Sequence, residues 1–319
     1  MRNRPLAPWL IAVTLVTRAA VGAQTPPPSP TPAAAATFEV ASVRPSSPEP
    51  GPFGQVPRVL PPVNGRFTAQ NVPLRLLIRL AYGVQDFQLA GGPEWLASAR
   101  YDIAAKAEDG GGRTMDAVLP MVRALLADRF RLRTHTENRD LPVFDLVVAR
   151  DDRRLGPSLR TSTADCSHAQ ADQQKRLEAL ARGGPAALAA LVPKPGEVVP
   201  CAMSPLVDPT NPAGGFGLRA SGMPVGTLTA LLTSATGRTV RDKTGLSGPY
   251  DWELVFDPQV MLGLAAQAGV NLPAGVTLPP SDSPSLLTAL REQLGLKLDS
   301  TRGPVEVLII DRIEMPTPD

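Results

Sequence analysis

The sequence predicts an α+β protein made of two related halves, each with helices packed on a small mixed sheet. Three observations carry this. Residues 242–257 (DKTGLSGPYDWELVFD) pass from a turn marked by Gly245, Gly248 and Pro249 into an alternating strand. Tyr250, Trp252, Leu254 and Phe256 share one face of it, and Asp251, Glu253, Val255 and Asp257 the other. A weaker copy lies at residues 91–107 (GGPEWLASARYDIAAKA), where Gly-Gly-Pro precedes the strand that begins Tyr101-Asp102-Ile103. Each half also holds a helix that opens at a proline and stops at a glycine: Leu74, Leu77, Ile78 and Ala81 between Pro73 and Gly83, then Leu228, Leu231, Leu232 and Ala235 between Pro224 and Gly237.

The remaining elements follow in order. Residues 38–43 (FEVASV) alternate as a first strand, 46–64 read as a Pro-rich irregular stretch, and 66–70 as a short strand. A second helix spans 114–130, capped by Thr114 or Asp116, with Val118, Met121, Val122, Leu125 and Leu126 inward. Residues 131–136 and 143–149 are expected to form a hairpin about 138–142. In the second half, 217–221 is a strand, 258–284 a loose insertion and 285–294 a helix. Residues 296–300 and 305–312 are expected to form a hairpin about Thr301-Arg302-Gly303-Pro304. Each half thus reads strand, helix, strand, helix, strand, strand. The runs VFDLVV and VEVLII are apolar enough to be central, so one continuous core is expected across both halves.

Between the halves, residues 151–215 read as an insertion that holds both cysteines, with helices expected at 169–181 and 185–192. In an oxidising compartment the pair Cys166 and Cys201 reads as one disulfide, worth about 3 kcal/mol in the chain-entropy model. Two free thiols, or soft zinc ligands together with His168, are the alternatives. The N-terminus supplies the compartment. Arg2 and Arg4 precede an apolar run at 6–16 that is short for a membrane span, and Val21-Gly22-Ala23 fits a cleavage site. Arg18 beside the cut leaves an uncleaved anchor as the alternative. The expected plan is a signal peptide at 1–23, a Pro/Ala linker at 24–37, a first half at 38–150, the insertion at 151–215 and a second half at 216–319. The mature chain is expected in the periplasm or outside the cell, with no membrane span after signal removal. Charge is balanced, 32 Lys+Arg against 30 Asp+Glu, so no whole-chain field points to nucleic acid.

Several separated motifs carry a resemblance: FEVASVRP, LIRLAYGV, LAGGPEWL, YDIAAKA, LLADRFRLRTHTENRDLPVFDLVVAR, GRTVRDKTGLSGPYDWEL and LREQLGLKLDSTRGPVEVLIIDRIEMP. From residue 38 to 316 the chain resembles the soil-associated family of exported bacterial proteins defined by a domain of unknown function. The resemblance brings no catalytic residues with it. A similar domain follows the membrane metallopeptidase module of antirepressor-type sensors, but this sequence has no HExxH. In element order each half is also similar to the short N-terminal modules of secretins and TonB-dependent receptors, which bind other proteins.

Catalytic templates fit poorly. Lys243-Thr244-Gly245 matches one box of penicillin-binding enzymes, but S-x-x-K is missing and Ser281-Asp282-Ser283 lacks the final Asn, so a turn with Gly245 in a special conformation is preferred. Asp242, Asp251 and Asp257 could pair for acid–base work, against the reading of a solvated strand face. His135 lies in the basic stretch RLRTHTENR, and Arg123, Arg129, Arg131, Arg133 and Arg139 read as a solvated face. Trp95, Tyr101, Asp242, Lys243, Tyr250 and Trp252 outline a candidate ligand groove, against core packing for the aromatics. No cofactor or metal is expected. The reading is an exported, non-enzymatic binding module of the cell envelope, whose partner is an envelope protein or small ligand and whose sheet edges accept a strand. A carboxylate-dependent hydrolase and a ligand sensor related to the antirepressor domain are the alternatives.

Overall fold

Proline and glycine at 142, 303 and 304 mark turns in the sequence, yet the chain runs straight through all three. The computed structural model describes residues 37–47, 56–107, 114–169, 171, 198–206, 216–267 and 281–316. They belong to one compact unit, Ala35–Asp319. The first half contains β1 (Phe38–Pro45), β2 (Arg58–Val63), β3 (Arg66–Pro73), α1 (Leu74–Tyr82), β4 (Leu89–Gly91), α2 (Trp95–Ser98), β5 (Arg100–Ala107), α3 (Met115–Arg129) and β6 (Arg133–Val148). The second contains β7 (Leu159–Thr161), β8 (Ala202–Leu206), β9 (Phe216–Pro224), α4 (Val225–Thr236), β10 (Val240–Asp242), β11 (Pro249–Phe256), α5 (Gln259–Gln267), α6 (Leu286–Leu294) and β12 (Leu296–Arg312). The fold class is α+β, as expected.

The two expected hairpins do not form. β6 is one strand of 16 residues and β12 one of 17, and they pair with each other, antiparallel, from end to end. Pro142 and Pro304 are tolerated because each sits where the outer side of its strand has no strand neighbour among the described residues. β10 pairs with β6 only from Phe144 to Leu146, and β4 with β12 only from Leu308 to Ile310. A missing N–H on an open edge breaks no ladder.

Three four-stranded sheets result. Two are antiparallel and have matching orders, β1-β5-β3-β2 and β7-β11-β9-β8. The mixed central sheet runs β10-β6-β12-β4 and exchanges strands between halves: β4 lies parallel to β12, and β10 parallel to β6. One shift relates the halves there. Leu308 opposite Leu89 corresponds to Phe144 opposite Val240, and 308 minus 144 is 164. The left-handed residues after α3 and α6, Arg131 and Gly295, differ by the same 164. Asp140 and Pro304, again 164 apart, face each other and mark a pseudo-twofold axis through the β6–β12 pair.

The expected single core is instead two. One gathers α1, α3 and the first outer sheet, and is closed by Leu308 and Ile310 from β12. The other gathers α4, α6 and the second outer sheet, and is closed by Leu146 from β6. Burial of each such side chain is worth about 1.5–3 kcal/mol, so each half depends on the other's long strand.

Helix starts and stops agree with the sequence signals. α1 and α4 begin after Pro73 and Pro224 and end at Gly83 (φ 69°) and Gly237 (φ 64°). Leu74, Leu77, Ile78 and Ala81 are buried in α1; Leu228 and Leu232 are buried in α4, with Leu231 and Ala235 packed beside them. Thr114, not Asp116, caps α3 by accepting from the Ala117 N–H, and Ser285 caps α6 by accepting from Thr288. β2 lies in the stretch expected to be irregular, α5 in the one expected to be a loose insertion, and β7 and β8 inside the expected insertion 151–215. The helices expected at 169–181 and 185–192, and the signal segment, lie outside the described residues.

Candidate functional site

The two Tyr-Asp strands occupy equivalent places, and their aspartates do the same work. Tyr101 and Tyr250 are the second residues of β5 and β11. Opposite each, the neighbouring strand carries a bulge, between Ala69 and Val72 in β3 and between Ala220 and Met223 in β9. Each bulge holds one left-handed residue, Asn71 (φ 53°) and Gly222 (φ 65°). The Asn71 N–H donates to Asp102 Oδ1 at 2.7 Å, and the Gly222 N–H donates to Asp251 Oδ1 at 2.9 Å. The aspartate thus fixes the bulge that turns the strand into its helix.

Asp251 is bound further. Ser221 Oγ donates to it at 3.1 Å, and Arg160 stands 3.6 Å from its other oxygen. Burial alone would raise its pKa, but hydrogen bonds from Ser162, the Gly222 N–H and Ser221, with Arg160 nearby, hold it below the ordinary carboxylate value. The Cys166–Cys201 disulfide lies directly over this bulge (Cα–Cα 5.6 Å). A Cβ on Gly222 would come within 2.7 Å of Cys166 Sγ and 3.2 Å of Cys201 Sγ, so only glycine fits there. Because the sulfurs are bonded to each other, they are not the thiolates a zinc site with His168 would need.

The aromatic groove residues are divided between the cores. Tyr101 is 5% exposed and meets Phe130 edge-on at 5.0 Å in the first core, with Trp95 half-buried beside it. Tyr250 and Trp252 are buried in the second. Asp242 and Lys243 stand at the end of β10 in a turn. Asp242 Oδ1 accepts from the Thr244 N–H (2.9 Å) and the Thr244 hydroxyl (2.7 Å), and Gly245 takes the left-handed conformation (φ 69°). Thr244 is buried, while Lys243 is exposed and its N–H donates to the Leu146 carbonyl at 2.9 Å. The preferred reading of Lys243-Thr244-Gly245 as a turn therefore holds.

The carboxylates do not converge. Asp257 accepts from the Gln259 N–H at the start of α5. It lies six positions beyond Asp251 along an extended chain, about 20 Å away, well outside the spacing of paired catalytic carboxyls. Among the described residues no three His, Cys, Asp or Glu side chains are grouped to hold a metal.

The arginines read as a solvated face divide between anchoring and surface roles. Arg123 donates to the Ala81 carbonyl and lies over the Tyr82 ring; Arg129 donates to the Ala41 carbonyl on β1. Arg139 pairs with Glu137 at 2.8 Å on the surface of β6. His135 also lies on this surface, with Nδ1 2.8 Å from Asp311 and Nε2 3.2 Å from Glu137; hydrogen bonding to Glu137 and to Asp311 raises its pKa.

One open strand edge was not singled out by local patterning. Residues 135–140 of β6 are all exposed, and no strand covers their outer side among the described residues; at the end of the run Arg302 donates to the Asp140 carbonyl. Three edges of the outer sheets are guarded, whereas the outer side of β12 before Leu308, like that of β6, has no strand neighbour among the described residues. β2 carries Pro61-Pro62, β8 carries Pro205, and a β1 carbonyl is taken by Arg129.

The arrangement defines a class of protein: a duplicated α+β domain whose halves exchange long strands and whose Tyr-Asp motifs lock bulges. The chain belongs to the family described as protein of unknown function (DUF3738), whose model matches residues 75–313. That match begins within α1 and ends one residue past β12, so it treats both halves as one unit. No curated protein and no solved structure matches the chain. The disulfide fits a location outside the reducing cytosol, and no described helix is long and apolar enough to cross a membrane.

Proposed function

We propose that the chain is an exported, non-enzymatic interaction module of the cell envelope that takes an extended segment of a partner along the open edge of β6. One observation carries this reading: the exposed run 135–140, without proline and without a strand neighbour among the described residues. An extended segment laid there would satisfy the outward backbone groups, and alternate side chains would set specificity. His135, Glu137 and Arg139 alternate charge along this strand, with Asp311 of neighbouring β12 bound to His135, a pattern that discourages indiscriminate pairing and rewards a complementary strand. Export is supported by the N-terminal signal pattern and by the disulfide.

The test is site-specific photocrosslinking in envelope preparations. A crosslinker at Asn138 is expected to capture a discrete partner, and one at Glu292, exposed on α6, is expected to capture none. Equal yields from both positions, or turnover of a substrate by the pure protein, would sink the reading. The ligand-sensing alternative has its own test in thermal shifts with β-lactams and cell-wall fragments, where flat responses count against it.

A further inference from the structure

We infer that the Cys166–Cys201 disulfide is a redox latch on β8, and that its reduction releases β8 and uncovers the outer edge of β9. Four observations converge on this strand. β8 buries only Ser204 among its five residues; Met203 is exposed, and Leu206 lies over Gly217 without joining the second core. Its counterpart β2 is better held. β2 turns into β3 through the two residues Asn64 and Gly65, both left-handed, which is the tight hairpin geometry, and Val59 packs on the first core. Between β8 and β9 the chain takes nine residues, 207–215, in place of two. Cys201 directly precedes β8, so the disulfide ties the start of the strand to Cys166, whose sulfur packs on the Gly222 bulge.

The opposite edge of the same sheet has other anchors. β7 contributes Leu159 to the second core, and Arg160 and Ser162 interact with Asp251. Reduction therefore acts on β8 and leaves β7 in place. Both cysteines are only half-buried, so a reductant reaches them without unfolding the domain.

The chemistry is thiol–disulfide exchange with a dithiol. A thiolate of the dithiol attacks one cysteine sulfur, the S–S bond breaks, and the other cysteine leaves as a thiolate and takes up a proton. The second thiol of the reductant then closes its own disulfide and frees the first cysteine. The protein gains two electrons and two protons, and the dithiol loses them.

Hydrogen exchange on the full chain, oxidised and treated with dithiothreitol, tests the latch without needing a partner. Amides of Ala202–Leu206 and of facing β9 are expected to exchange at least about tenfold faster after reduction than the fall in global stability alone gives to β7, β11 and the first outer sheet. The variant Cys166→Ser, untreated, is expected to reproduce the reduced pattern and to ignore dithiothreitol. Retained protection of β8 after reduction overturns the inference. So does an equal acceleration in all three sheets with β8 no faster than the rest, which would make the disulfide only a staple of the whole fold.

Discussion

The two halves solve the same problem at the Tyr-Asp bulge with different residues. In the first, Asn71 takes the left-handed position with its side chain buried. In the second, the disulfide lies over the bulge, and Gly222 is the only residue that fits beneath it. The first half holds its outer strand by a tight hairpin and a valine. The second, which must accommodate a long excursion between β7 and β8, holds its outer strand by a covalent bond. The bulge and its aspartate are the shared architecture, and the edge strands are where the halves have diverged.

Mutations can break or sharpen this contrast. The largest effect is expected in the core, where Trp252 (2% exposed) stands opposite Ala220 as Ile103 stands opposite Ala69. Trp252→Ala is expected to cost about 4 kcal/mol in urea denaturation, against about 1 kcal/mol for Ile103→Val. Because each core is closed by the other half's strand, unfolding is expected to stay a single transition; two separated transitions would show that the halves are independent. Next comes the covalent bond that only one half has. Replacing both cysteines with serine is expected to lower stability by about 3 kcal/mol, and an unchanged urea midpoint would remove its structural role.

Gly222→Ala is expected to cost about 2 kcal/mol through left-handed strain and collision with Cys166 Sγ, while Asn71→Gly is expected to stay within about 0.5 kcal/mol. Equal costs would mean that the disulfide does not press on the bulge. The smallest effect separates the aspartates. Asp251→Asn is expected to cost about 1.5 kcal/mol and Asp102→Asn about 1 kcal/mol, since Asp251 serves more donors. The Asp251 difference carries a pH signature. Its folded pKa is depressed, so its contribution is present above the unfolded value of about 4 and is lost as pH falls through the lower folded value. Urea midpoints of wild type and Asp251→Asn are therefore expected to converge in acid, and a gap that persists at the lowest pH would assign the cost to packing.

The helices and the Tyr-Asp strands were legible because each is a local pattern. An apolar stripe between proline and glycine made α1 and α4 readable, and strict alternation made β11 readable. The strands β4 and β10 escaped notice because three residues are too few to alternate. β8 escaped because it buries one serine and no apolar side chain. The long strands were misread for a different reason. Pro142, Gly303 and Pro304 are sound turn signals, but their meaning depends on whether a neighbour occupies the strand's outer side, and only the exchange of strands decides that. The division of the groove aromatics was hidden for a similar reason: aromatic spacing places Tyr101 and Trp252 inward, but does not say that they point into different cores. The open edge of β6 was visible in sequence only as a polar stretch, which reads equally as a turn.

The exchange of strands also sets an order in time. Synthesis delivers α1, α3 and the first outer sheet well before Leu308 and Ile310, the residues that close their core. Until the last strand is made, the first half has its apolar interior open on one side, and contacts between the chain's beginning and its end form late. A product that stops short of β12 lacks a wall in both cores, since Leu296 closes the second as Leu308 closes the first. Completion of the chain is thus expected to be a condition for folding either half.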